Sequence, residues 1–133
     1  FALMYLGSLF GGALAVLVFG WEQPTLGASG AVLGLAGALG IAFYERGVNP
    51  RNSPVFGLVV LNLALPLLVP GISFWGHFGG VAAGILMGYL LVWLPMRSHG
   101  GSAGNTISIG LAATVMLAVL SYIAASLGGI SFG

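Results

Sequence analysis

Gly76-His77-Phe78-Gly79-Gly80-Val81-Ala82-Ala83-Gly84-Ile85-Leu86-Met87-Gly88 places glycine at 76, 80, 84 and 88, a strict four-residue repeat inside an apolar run. On a helix of 3.6 residues per turn, His77 shares one face with Gly80, Gly84 and Gly88. An interior helix glycine costs about 1 kcal/mol against alanine in water. In lipid, the same residues let two helix backbones approach closely. The stretch therefore reads as a membrane helix shaped to be met by another, with an imidazole near its start. Matching small residues occur at Gly30, Gly34, Gly37 and Gly40 in one earlier apolar segment, and at Gly7 and Gly11 in another. Helix packing alone accounts for these glycines. They also permit a side chain on a neighbouring helix to reach His77.

Composition agrees with a membrane setting. The 133 residues are 59% hydrophobic and 4% charged, whereas soluble domains run about 25% charged. The chain has no Asp, Lys or Cys, and its acidic side chains are Glu22 and Glu45. An aspartyl protease of the membrane needs two Asp, and a zinc protease needs a His-Glu-x-x-His cluster. With only His77 and His99 as imidazoles, no metal site and no cofactor are expected. Three arginines cannot form a phosphate-tracking patch, so nucleic acid is not an expected partner. Phe1 stands already inside an apolar run, with no basic leader before it. The chain is expected to be an internal or truncated piece of a longer membrane protein.

Charges, prolines and glycine-rich turns divide the sequence into five apolar segments, at 1–19, 30–44, 55–69, 77–94 and 107–127. A spanning helix needs about 20 apolar residues. The first, fourth and fifth reach that length, and the second and third are expected to span by drawing on their flanks. The fold class is all-α, a polytopic bundle of about five membrane helices. Arg46 and Arg51 fall in one connection and Arg97 in another. Arginine-bearing loops stay cytoplasmic, and an alternating path puts both on one side. The connections at 20–29 and 70–76 then face outward, with Trp21 and Trp75 at the outer interface and Trp93 near the inner one.

This path brings two candidate groups to similar depth. Ser29 lies 16 residues before Glu45, and His77 lies 20 before Arg97. At about 1.5 Å per residue, they stand roughly 24 Å and 30 Å above the cytoplasmic helix ends. A serine hydroxyl becomes a good nucleophile when a base takes its proton, and histidine is the usual base near neutral pH. Ser29 also opens a helix, where its backbone N–H and the positive dipole end can meet developing negative charge. Neither glutamate is placed to orient the histidine, which favours a Ser-His dyad held by packing. Serine is also a preferred helix cap. An ionisable group within a membrane segment is costly and usually functional, and that favours His77.

Other residues carry less. Gly100-Gly101-Ser102-Ala103-Gly104 spells a Gly-x-Ser-x-Gly elbow, but the elbow needs a strand before it and a helix after. Here it reads as a flexible linker, with His99 solvated beside it. Ser73 precedes His77 in a turn and reads as a cap or loop residue. Asn62, polar at membrane depth, reads as an interhelical hydrogen-bonding residue with no catalytic role.

Gly27-Ala28-Ser29-Gly30 resembles the Gly-x-Ser-Gly nucleophile motif of the rhomboid family of intramembrane serine proteases. His77-Phe78-Gly79-Gly80-Val81-Ala82-Ala83-Gly84 resembles that family's His-x-x-Gly-x-x-x-Gly helix, and Val69–Gly76 resembles the run before it in bacterial members. The resemblance covers residues 1–95, similar to the third through sixth core helices. It leaves 96–106 as a cytoplasmic linker and 107–133 as an appended transmembrane helix with a short tail. It implies that Ser29 is the nucleophile and His77 the general base, with Gly27, Gly30, Gly80 and Gly84 packing around them. The substrates it implies are transmembrane segments of other proteins, cut near the outer face. The membrane it implies is a bacterial plasma membrane. The outer loop and third segment correspond to the family's cap and lateral gate. The family's first two helices and their oxyanion donors have no counterpart here, which leaves the Ser29 N–H as the donor present. These residues alone are therefore expected to cleave poorly. Leu33 stands where members often carry an aromatic residue. A silent rhomboid-like protein that binds transmembrane clients is the alternative.

The path makes a direct prediction. Asn52→Cys and Gln23→Cys variants should react with impermeant thiol reagents from opposite faces of a sealed membrane. Reaction from the same face would refute the alternating path.

Overall fold

The computed structural model describes residues 1–20, 28–97 and 102–130. Its elements are five helices: α1 (Ala2–Phe19), α2 (Ser29–Glu45), α3 (Pro54–Leu68), α4 (Phe74–Arg97) and α5 (Ala103–Ile130). A 3₁₀ turn at Pro50–Asn52 precedes α3, and a π turn at Tyr89–Trp93 lies within α4. Among the described residues, α1, α4 and α5 are long and apolar enough to cross a membrane. The chain is an integral membrane protein of the all-α class.

Among the described residues, α2 and α3 are shorter apolar helices than the other three, and the flank of α2 at 21–27 lies outside them. The two helices have 17 and 15 residues, roughly 25 Å and 22 Å at the helical rise, against a hydrocarbon core of about 30 Å. Local chemistry stops them. Past Glu45, Gly47 takes a left-handed φ of 72°, a conformation that costs glycine little. Val48 N–H then donates to Phe43 O at 2.9 Å and Gly47 N–H to Tyr44 O at 3.0 Å, which closes the helix end. Pro54 begins α3, where its missing N–H is harmless. Val69, ahead of Pro70, is extended at φ −121° and ψ 111°, as the proline ring demands. Ser73 starts α4 by accepting a 3.1 Å bond from Gly76 N–H.

The central helix is α4, packed most extensively on α2 and α1. Its buried face includes His77, Gly80, Gly84 and Met87. A Cβ added at Gly80 would strike the backbone of Gly30, and one at Gly84 the backbone of Gly34. One at Gly88 would come within 2.9 Å of Ala38 Cα. The three contacts climb both helices in step, so α2 and α4 run parallel. On the other side, Gly79 faces Gly11 and Ala15, while Met87 fills the space beside Gly7. That pairing descends α1 as α4 rises, so these two are antiparallel.

α5 closes the bundle against α1. The Ser121 hydroxyl donates to Leu117 O of its own helix at 2.8 Å and lies 3.0 Å from Phe10 O of α1. Thr114 repeats the pattern toward Leu3 O at 3.4 Å. α3 has no buried residue and touches α2 and α4 more lightly. At the arginine-bearing end, Arg97 lies 4.0 Å from Glu45 and over the Trp93 ring at 5.1 Å. The ends of α2 and α4 are thus level there.

The stripe predicts a contrast between two methyl additions. Gly84→Ala should lower unfolding stability by about 1–3 kcal/mol, the usual cost of overpacking. Gly57→Ala, on α3 with open space around it, should be neutral or raise stability by up to about 1 kcal/mol through helix propensity. Unfolding of both variants in one detergent checks this. Equal effects would show that α4 and α2 are not in backbone contact.

Candidate active site

Ser29 is the first residue of α2 and His77 sits in the first turn of α4. Because the two helices run parallel in glycine contact, their starts lie side by side. His77 Nε2 and Ser29 Oγ are 3.0 Å apart. The imidazole is buried at 5% exposure, while Ser29 is exposed. The cap position of α2 is Ala28, with no side-chain cap bond. The Ser29 hydroxyl is therefore engaged with His77 instead of capping its helix.

The other imidazole nitrogen settles the proton's place. His77 Nδ1 lies 2.9 Å from the backbone oxygen of Asn62 on α3. A carbonyl can only accept, so Nδ1 carries the hydrogen and donates it. In the neutral ring, Nε2 then presents its lone pair to the Ser29 hydroxyl, the arrangement a general base requires. Burial and this bond together hold the ring. To the packing expected from the sequence, the structure adds the Asn62 carbonyl.

Asn62 also needs correction. Its side chain does not bond between helices; Nδ2 donates to Leu58 O on its own helix at 2.8 Å. The interhelical bond belongs to its main chain, which a reading by side-chain type cannot detect.

The start of α2 adds backbone donors. Among the described residues, its first i→i−4 bond runs from Val32 N–H to Ala28 O at 3.0 Å. The N–H groups of Ser29, Gly30 and Ala31 precede that bond and lie at the positive end of the helix dipole. Gly30 meets the backbone of both Gly76 and Gly80, which keeps the two helix starts together. Leu33 is buried one turn further on, at 4% exposure.

Several sequence candidates lie elsewhere. Gly27, Trp21, Glu22, His99, Gly100 and Gly101 are outside the described residues. Ser102 Oγ accepts from Asn105 N–H at 3.4 Å, a capping contact at the start of α5. Ser73 is the cap of α4. Among the described residues, no three His, Cys, Asp or Glu side chains gather as a metal site would require.

The family model described as Rhomboid domain matches residues 1–94. The chain is 32% identical to RHOMBOID-like protein 4 of Arabidopsis thaliana over 131 residues, covering 89% of this chain and 33% of that protein. With Rhomboid protease GluP of Bacillus subtilis it shares 34% identity over 87 residues, 63% of this chain and 17% of that one. With Rhomboid-type serine protease 2 of Saccharomyces cerevisiae it shares 33% over 61 residues, 39% and 23% of the two chains. The chain spans about a third or less of the length of these curated relatives. No solved structure matches it.

Proposed function

This chain belongs to the rhomboid family, and we propose that it works as an intramembrane serine endopeptidase with Ser29 as nucleophile and His77 as general base. The observation that carries the proposal is the 3.0 Å contact between His77 Nε2 and Ser29 Oγ, with Nδ1 held by a carbonyl. Two of the similar proteins are named as proteases, which supports the same reading.

In the proposed reaction, Ser29 Oγ attacks the scissile carbonyl carbon while Nε2 takes the hydroxyl proton. Negative charge grows on the carbonyl oxygen near the first N–H groups of α2, whose dipole stabilises it. The intermediate collapses by breaking the C–N bond, and Nε2 returns the proton to the leaving amine. Water then attacks the acyl ester, giving its proton to Nε2, and the hydroxyl of Ser29 is restored. The imidazolium formed twice in the cycle keeps its Nδ1–H on Asn62 O, which stabilises the positive charge.

Substrates of this proposal are transmembrane segments of other proteins in the bilayer, cut near the level of Ser29. The short α2 sets that level: its 17 residues cover less than the hydrocarbon core, so the nucleophile lies below the outer membrane surface. α3, lightly packed and without buried residues, is the wall a substrate would pass. We read α5, beyond the linker, as an appended helix that braces α1. We assign a bacterial plasma membrane on the likeness of Val69–Gly76 to bacterial members.

Cleavage of a transmembrane substrate in lipid vesicles tests the proposal. The Ser29→Ala variant should lose cleavage, and His77→Ala should reduce it by about 10²–10⁴-fold, the usual contribution of a general base. Undiminished cleavage by Ser29→Ala would remove the nucleophile. Absence of cleavage in the unaltered full-length protein, together with tight binding of the segment, would favour a silent client-binding protein.

A further inference from the structure

We propose that Pro66 is a positioning residue for His77: by withholding a backbone N–H, it leaves the carbonyl of Asn62 open to hold the Nδ1–H of the imidazole. The inference rests on the reading of His77 as the base of Ser29. In an α-helix the carbonyl of residue 62 is normally taken by the N–H of residue 66. Position 66 is a proline inside α3, and proline has no N–H to give. That same carbonyl accepts from His77 Nδ1 at 2.9 Å.

Proline is strongly unfavourable in a helix interior, and in lipid a carbonyl without its helical partner needs another donor. His77 supplies one. A buried imidazole, in turn, needs an acceptor on one nitrogen if the other is to serve as a base. The two requirements meet in one hydrogen bond between α3 and α4. The Asn62 side chain takes no part in it, since Nδ2 is bonded to Leu58 O. The proline, not the asparagine side chain, thus determines the tautomer.

The test uses the ¹⁵N-histidine-labelled full-length protein in lipid, with the signals of His77 identified by their loss in His77→Gln. In the unaltered site, the neutral ring should show a protonated Nδ1 and a bare Nε2. Pro66→Ala restores an N–H that competes for Asn62 O. It should bring in the tautomer protonated at Nε2 and lower kcat about tenfold with KM unchanged, the factor one neutral hydrogen bond corresponds to. Alanine suits a helix better than proline, so the variant should fold at least as stably, and a loss of kcat cannot be laid to unfolding. Asn62→Leu keeps the carbonyl and should keep the Nδ1–H tautomer.

An unchanged tautomer in Pro66→Ala would overturn the proposal, whether or not activity falls. A tautomer change in Asn62→Leu equal to that in Pro66→Ala would also overturn it, by assigning the effect to the side chain. Should the tautomer shift as expected while Ser29→Ala cleaves as well as the unaltered protein, the hold of Pro66 on the His77 tautomer stands and the reading of Ser29 as nucleophile falls.

Discussion

Backbone contact between α4 and α2 is the constraint on which the rest depends. Gly80 against Gly30 and Gly84 against Gly34 leave no room for a Cβ on α4, and the contact fixes both the separation and the register of the helices. Register matters as much as distance. A parallel pair locked at 80 on 30 and 84 on 34 brings the first turns of both helices together, and those turns carry His77 and Ser29. Membrane helices have no hydrophobic drive toward one another, so dispersion across a smooth stripe must supply the attraction. Glycine suits this surface despite its poor helix propensity, because most of the packing gain depends on how closely the backbones approach.

A second constraint comes from α3. It presents a proline at helix-interior depth and contributes no buried side chain, so it adds little to the core. Its contribution is polar: one carbonyl directed at the imidazole. A nonpolar surround would make an unpartnered imidazole N–H costly. The bond to Asn62 O therefore satisfies the ring and selects its tautomer together. The loosely packed helix is thereby coupled to the proton chemistry of the tightly packed pair, and displacement of α3 would release Nδ1.

Much of this was legible in the sequence because membrane segments obey few rules. The second segment, read as 30–44, forms as Ser29–Glu45, since a glycine-rich turn and a charged pair bracket it. The first ends at Phe19, ahead of Gly20. The fourth begins three residues before the histidine, because Ser73 caps the helix. Depth counting from Glu45 and Arg97 also had a physical basis, for these residues meet at 4.0 Å. The acceptor for Nδ1 was hidden because a backbone oxygen has no letter in the sequence. Its trace is indirect: a proline four residues after Asn62, in a segment otherwise suited to a helix. The exact ends of α2 and α3 follow from the same kind of local geometry. Gly47 and Pro70 stop the helices through backbone geometry, and hydrophobicity counts do not register that.

The central claim is that one serine, among those at 8, 29, 53, 73, 102, 108, 121, 126 and 131 as well as 98, is made nucleophilic by its place beside His77. Reaction with a fluorophosphonate followed by peptide mapping by mass spectrometry tests this most directly, because the reagent marks an activated hydroxyl irrespective of substrate. The account predicts a phosphonyl adduct on Ser29 of the native protein and none after His77→Ala. An adduct on Ser102 or Ser73, or labelling of Ser29 that persists without the imidazole, would contradict it.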